Sequence, residues 1–183
     1  MNKCYTEFPI DIYPLVNQPE FYFKDWPYPR RDMPLDITHL NPELLKYFEE
    51  KQVHIGHNFL LWHWKVQEHH VPHTDGDWQL IGADRRKRLS GINWNFTPDT
   101  WVEFFSFDGM TPKLIHKNKD DFSTHWEGTP TQIDKWEGAG PVIFNPQMLH
   151  RVAAKKNVWR RVSMTLKFHE SYEELVEKLM GVS

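Results

Sequence analysis

Two histidines and one aspartate have the residue types and the spacing of a metal site. His73-Thr74-Asp75 places an imidazole and a carboxylate at positions i and i+2. In an extended chain such residues point to the same face of a strand, so the two side chains converge without a special turn. His150, much later in the chain, is the candidate third ligand. Two nitrogens and one oxygen on one side of an octahedron leave three positions open, which is typical of non-haem Fe(II) oxygenases.

The His-x-Asp pair alone is a weak signal, and an ordinary surface loop explains it about as well. Its surroundings are more informative. The pair ends a β-like stretch and is followed by Gly76, which indicates a turn. His150 lies in a similar context, after a short apolar run and an Asn-Pro turn, and Arg161-Val162-Ser163 begins eleven residues after it.

Together, the His-x-Asp motif, the distant His150 and the Arg161-x-Ser163 motif resemble the 2-oxoglutarate- and Fe(II)-dependent oxygenase superfamily. The closest resemblance is to small bacterial and phage-type members with prolyl-hydroxylase-like or AlkB-like cores, and it covers residues 55–168. The resemblance implies a mainly β fold, a double-stranded β-helix (jelly roll) of eight strands with a few covering helices.

The resemblance also implies a role for each motif. His73, Asp75 and His150 would hold iron, while Arg161 and Ser163 would bind the far carboxylate of 2-oxoglutarate. An arginine suits this role because its planar fork matches a carboxylate bidentately. The protein would then be a dioxygenase, in the simplest case a hydroxylase, that uses Fe(II), 2-oxoglutarate and O2. It would couple the decarboxylation of 2-oxoglutarate to succinate with the oxidation of a further substrate.

Two other classes of protein remain as alternatives. One is a cupin-like metalloprotein on the same architecture, although cupins usually present His-x-His followed by Glu. The other is a non-catalytic jelly-roll binding module with histidines in structural roles. The oxidised substrate is open as well, since substrate loops vary independently of the metal core. A protein side chain, a nucleobase and a small metabolite all fit.

Several further residues are candidates for the site. Asn93 lies on the polar face of its predicted strand, where it can reach the cosubstrate. His125 falls in a long polar segment that can lie over the mouth of the barrel. His69 and His70 are close to the ligand pair but lack an aspartate at the same spacing. The basic run 85–88 indicates either a solvated turn or a contact with an anionic substrate such as a nucleic-acid backbone.

The elements that must position these residues are mostly short strands. Residues 1–38 contain many prolines and predict an extended arm, with one strand near 21–23. Asn41-Pro42-Glu43 predicts the start of a helix, and Ser171-Tyr172-Glu173-Glu174 predicts a second helix that ends at Gly181. Strands are predicted at 59–66, 89–96, 101–107, 141–144 and 159–168, with 89–96 and 101–107 paired as a hairpin. Residues 108–140 are expected to form a long insert, a mobile cover that becomes ordered when substrate binds.

The alternation of residues in the last strand predicts which of its faces lines the cavity. Val162, Met164, Leu166 and Phe168 share one face, and Arg161, Ser163, Thr165 and Lys167 share the other. Since helices near both chain ends need an apolar sheet face to cover, we expect the apolar face to lie against them. The polar face, with Arg161, would then line the cosubstrate cavity, and Arg160 would extend into solvent.

Composition limits the remaining classes. The 183 residues suit a single domain, 1–183, with a core at 55–168. The formal net charge of -3 gives no general attraction to nucleic acid, so a nucleic-acid partner is possible but not favoured. The single Cys4 excludes an internal disulfide and a thiolate-rich metal site. The sequence has neither a membrane-length apolar stretch nor a secretory signal, so we expect no membrane partner and a cytoplasmic location.

Overall fold

A computed structural model describes residues 4–16, 30–64, 71–75, 90–116, 122–138 and 140–181. These residues form twelve strands and two α-helices, so the chain is mainly β as expected. The strands are β1 Tyr5–Glu7, β2 Arg30–Pro34, β3 Ile55–Trp64, β4 His73–Asp75, β5 Ser90–Asn95, β6 Thr100–Phe105, β7 Met110–His116, β8 Phe122–Gly128, β9 Gln132–Trp136, β10 Val142–Phe144, β11 Leu149–Ala154 and β12 Arg160–Phe168. The helices are α1 Pro42–Glu50 and α2 Tyr172–Met180.

The strands form two six-stranded antiparallel sheets. The first sheet has the order β1-β10-β5-β12-β3-β2, and the second has the order β7-β8-β4-β11-β6-β9. The pairing is nested along the chain, because β3 pairs with β12, β4 with β11, β5 with β10, and β6 with β9. As a result, the strands that carry the two candidate metal motifs, β4 and β11, are neighbours in the second sheet although they are far apart in sequence.

The predicted hairpin between residues 89–96 and 101–107 is wrong. β5 pairs with β10 and β12 in the first sheet, whereas β6 pairs with β11 and β9 in the second. The turn between them therefore crosses from one sheet to the other. Side chains hold it closed: Asn95 Nδ2 donates to Thr100 Oγ1 at 2.9 Å, and the Val162 amide donates to Thr97 Oγ1 at 2.8 Å. Asp99 takes a left-handed φ of 59°, a conformation that Asn and Asp tolerate better than most residues.

Both helices begin as their capping residues predict, and α2 also ends as predicted. The Asn41 side chain accepts from the Glu43 amide at the start of α1. Ser171 and Glu174 form a capping box at the start of α2, and Gly181 ends that helix with a left-handed φ of 65°. Their apolar faces cover the first sheet, so that the largest core cluster joins buried helical residues to the sheet's outer face. This cluster includes Leu44, Phe48, Leu175 and Leu179 from the helices and Val162, Met164, Leu166 and Phe168 from β12.

The predicted orientation of β12 is thus confirmed: its apolar face lies against the helices. The alternate residues Arg161, Ser163 and Thr165 face the second sheet. A second core cluster lies between the sheets, where Phe144 of β10 contacts Phe104 of β6 with ring centroids 5.7 Å apart. The interior of the sandwich is therefore apolar at the β10 end and polar along β12.

Residues 108–140 differ from the expected long loop. Three strands of the second sheet, β7, β8 and β9, lie within this segment, and β8 pairs directly with β4. β7 is an edge strand and contains Pro112, which a central strand would not accommodate.

In the expected N-terminal arm, β1 and β2 add one strand to each edge of the first sheet. The strand predicted near residues 21–23 lies outside the described residues. Neither described helix is long and apolar enough to cross a membrane.

Candidate metal centre

The structure brings His73, Asp75 and His150 together on the inner face of the second sheet. His73 lies directly opposite His150 in the register of β4 and β11. One ligand atom from each of the three residues lies within 4.8 Å of the others. His73 Nε2 is 3.8 Å from Asp75 Oδ1, and the two imidazole centroids are 4.4 Å apart. Among the His, Cys, Asp and Glu side chains of the described residues, these three form the only group that is close enough together to hold one metal ion.

Backbone carbonyls orient both imidazoles. His73 Nδ1 is 3.0 Å from the Val71 carbonyl oxygen, and His150 Nδ1 is 2.7 Å from the Met148 carbonyl oxygen. Because a carbonyl only accepts, each Nδ1 must carry the proton and donate it. A neutral imidazole in this tautomer presents the lone pair of Nε2, the nitrogen that would bind a metal. Both histidines use a carbonyl two residues earlier in the chain, so their ring orientations are set locally.

The turn before β11 connects the two halves of the centre. Asn145 and Pro146 open this turn, whose side-chain and backbone hydrogen bonds involve Gln147 and Met148. The Asp75 amide donates to the Pro146 carbonyl at 2.8 Å. The turn that positions the Met148 carbonyl under His150 therefore also holds the backbone of Asp75. This explains how residues from distant parts of the sequence keep one geometry.

Aromatic rings enclose the centre on the side of His150. The Phe144 ring packs edge-on against the His150 imidazole at a centroid distance of 4.7 Å, and Phe104 lies 6.3 Å away. His150 is 5% exposed. Burial among aromatic rings lowers the local dielectric constant and strengthens electrostatic interactions at the site. Neither ring was predicted from the sequence to lie at the site, although Phe144 belongs to the short strand that was predicted just before the Asn-Pro turn.

A partly buried ion pair joins β11 to β6 on the opposite face of the second sheet. Arg151 Nε donates to Glu103 Oε2 at 2.6 Å, and Trp101 Nε1 donates to Glu103 Oε1 at 2.8 Å. Burial of Glu103 raises the pKa of its carboxyl, but these two hydrogen bonds and the Arg151 charge outweigh it and hold the pKa below the usual 4.5. Glu103 and Arg151 are register partners next to the pair Phe104 and His150. The bridge thus fixes β11 to β6 immediately behind the metal centre.

Arg161 is a buried cation on the facing sheet. It is 3% exposed, its Nη1 donates to Ser163 Oγ at 3.0 Å, and its Nε has no hydrogen-bond partner among the described residues. None of the ion pairs within the described residues involves Arg161. Burial lowers the pKa of its guanidinium from 12.5 to about 10, and no carboxylate of the described residues opposes this effect. A buried charge of this kind is costly unless an anion joins it.

Asn93 contributes to the same interior surface. Asn93 and Thr165 are register partners on β5 and β12, and Thr165 Oγ1 donates to Asn93 Oδ1 at 2.7 Å. Asn93 is also the register partner of Val142, which belongs to the core between the sheets. This row of partners therefore faces the second sheet. The alternation of residues in the last strand had placed Thr165 on this polar face, but its hydrogen bond to Asn93 was not predicted.

His125 lies on β8, next to the candidate metal centre, and not in a loop over the mouth of the barrel. It is the register partner of His73 across β4 and β8, so both side chains lie on the same face. Their ring centroids are 6.1 Å apart, and His125 is half-buried. It does not belong to the three-residue group at metal-binding distance. The other candidates, His69, His70 and the basic run 85–88, lie outside the described residues.

No family model matches this chain, and a search of curated proteins finds no match.

Proposed function

We propose that this protein is an Fe(II)- and 2-oxoglutarate-dependent oxygenase. The observation that carries the proposal is the convergence of His73, Asp75 and His150 on adjacent strands, with ligand atoms within 4.8 Å of one another. Two imidazole nitrogens and one carboxylate oxygen on one side of an ion form the facial triad of non-haem Fe(II) oxygenases. The Nδ1 hydrogen bonds support this assignment because they direct both Nε2 lone pairs to a metal.

The donor set fits Fe(II) better than the common structural metals. Structural zinc sites usually have four protein ligands, often with thiolates, and Ca²⁺ requires six to eight oxygen ligands. A site with only two imidazoles and one carboxylate as protein ligands leaves coordination positions of the metal ion open for exogenous groups. When bound with 2-oxoglutarate, Fe(II) supplies the activation of O2: one oxygen atom goes to the substrate and the other to succinate, with release of CO2.

Arg161 and Ser163 are the proposed binding site for the far carboxylate of 2-oxoglutarate. A buried guanidinium without an acidic partner among the described residues is the feature expected of a carboxylate-binding site. Arg161 offers two parallel N–H donors to such a group, and the Ser163 hydroxyl adjoins them. Asn93, held by Thr165, is proposed to form a polar wall of the same cavity.

We further propose that the two sheets form a jelly roll. A jelly roll is a long antiparallel ribbon wound into two sheets, so its strands pair from the ends inward. The eight strands β3, β4, β5, β6, β9, β10, β11 and β12 pair in this nested order. In this proposal β7 and β8 are an addition between the fourth and fifth strands of the roll.

The two alternative classes explain fewer of these features. A cupin-like metalloprotein shares the architecture, but the carboxylate here comes from Asp75, two residues after His73, where cupins usually have a second histidine. A non-catalytic binding module accounts neither for the orientation of both imidazoles nor for the buried charge of Arg161, which forms no ion pair within the described residues. Neither alternative requires 2-oxoglutarate.

Succinate release tests the proposal. We expect purified protein with Fe(II), 2-oxoglutarate and O2 to form succinate slowly even without its substrate, and chelation of the metal to stop the reaction. Asp75→Ala should abolish succinate formation, because a facial triad has no spare ligand. Asp108→Ala, at an exposed aspartate in the β6–β7 turn, is the matched control and should retain it. Full turnover by Asp75→Ala contradicts the proposal.

A further inference from the structure

Four ring side chains form a row across the inner face of the second sheet. In register order they are His125 on β8, His73 on β4, His150 on β11 and Phe104 on β6. Register partners in antiparallel strands share a face, so all four point toward the first sheet. The two central members of this row are candidate metal ligands, and the outer two flank them on either side.

The two ends of the row differ in chemistry. At the His150 end, Phe104 and Phe144 surround the imidazole with apolar rings. At the His73 end, the neighbour is the His125 imidazole, with ring centroids 6.1 Å apart. A group bound to a metal ion at this centre would therefore have apolar rings on one side and a hydrogen-bonding imidazole on the other.

The register of β4 and β8 places His125 next to the candidate metal centre, on the side of His73. A metal ion held by only three protein ligands would keep coordination positions open for exogenous groups. His125 extends from β8 on the same face and is too far from the three ligand atoms to belong to their group.

We propose that His125 hydrogen-bonds the exogenous group that would occupy an open coordination position beside His73. This inference rests on the proposed metal centre and adds a residue to it that is not a ligand. The group that it contacts is a small hydrogen-bonding ligand, such as water or an anion. His125 then favours polar groups at that position, whereas the Phe104 and Phe144 rings exclude them on the opposite side.

Azide binding to the Co(II)-loaded protein tests the inference without requiring turnover. We expect His125→Phe to raise the Kd of azide about tenfold, as the loss of one hydrogen bond to a charged group implies. His125→Gln keeps an amide donor and should bind azide within about threefold of wild type, a difference smaller than one hydrogen bond. The Kd of Co(II) should stay the same in both variants. His169→Phe, at an exposed histidine outside the inner face, is the matched control for azide and Co(II) binding.

Three outcomes overturn the inference, and they are distinguishable. Equal azide affinity in wild type and His125→Phe means that His125 does not contact the exogenous group. Loss of Co(II) binding in both His125 variants means that His125 supports the ion or the fold rather than the group bound to the ion. A wild-type protein that binds no Co(II) contradicts the metal centre and the proposed function as well.

Discussion

Replacing Arg161 by methionine should have opposite effects on stability and on cosubstrate binding. At pH 7 the guanidinium is charged, because its pKa of about 10 stays well above 7. A fall in pKa from 12.5 to about 10 corresponds to a penalty of roughly 3 kcal/mol for the buried charge, at about 1.4 kcal/mol per pKa unit. Methionine fills a similar volume without a charge. We therefore expect Arg161→Met to raise the free energy of unfolding of the metal-free protein by about 1–3 kcal/mol.

The same substitution should weaken 2-oxoglutarate binding. A charged hydrogen bond to a carboxylate contributes about 1.5–3 kcal/mol, so the Kd should rise between about tenfold and a hundredfold. Calorimetric titration of 2-oxoglutarate into the Mn(II)-loaded protein measures this Kd without turnover, and urea unfolding of the metal-free protein measures stability. Arg160→Met is the matched control, since Arg160 is exposed at the start of the same strand. The account is refuted if Arg161→Met destabilises the protein while leaving the Kd for 2-oxoglutarate unchanged, or if Arg160→Met has the larger effect on that Kd.

Two further predictions concern the second sheet. Glu103→Gln should lower stability at pH 7 by about 1 kcal/mol and should flatten the loss of stability below pH 4.5 in acid unfolding. Because the pKa of Glu103 is lowered in the folded protein, its ionised carboxylate stabilises the fold above the pKa of the unfolded state, and this stabilisation is lost as the pH falls. An acid-unfolding profile that is unchanged in the variant would argue against the ion pair between Glu103 and Arg151. Backbone amides of β8 should be protected from hydrogen exchange in the metal-free protein, because β8 pairs with both β4 and β7. Rapid exchange there would instead support a mobile cover.

The parts of the fold that follow local rules could be predicted from the sequence. Asn41 and Ser171 start their helices because their side chains satisfy amides within the first turn, which needs no distant partner. His73 and Asp75 share a face because strand geometry requires it. The orientation of β12 was predictable for a related reason: the helices at both ends of the chain needed the apolar face that includes Met164.

The parts that depend on pairing between distant segments could not be predicted. A turn such as 97–100 has the same composition whether its flanking strands pair with each other or enter different sheets, so β5 and β6 were wrongly paired. Residues 108–140 looked like a loop because their polar residues and glycines obscured β7, β8 and β9. The position of His125 beside His73 follows only from the register of β4 and β8, which nothing near His125 encodes.

The central claim is that one metal ion binds His73, Asp75 and His150 with 2-oxoglutarate beside it. A crystal structure of the protein grown anaerobically with Mn(II) and 2-oxoglutarate tests this most directly. The account predicts an anomalous peak bonded to His73 Nε2, His150 Nε2 and an Asp75 oxygen, with the far carboxylate of 2-oxoglutarate on Arg161 and Ser163. An ion bound elsewhere, or 2-oxoglutarate bound away from Arg161, would contradict it.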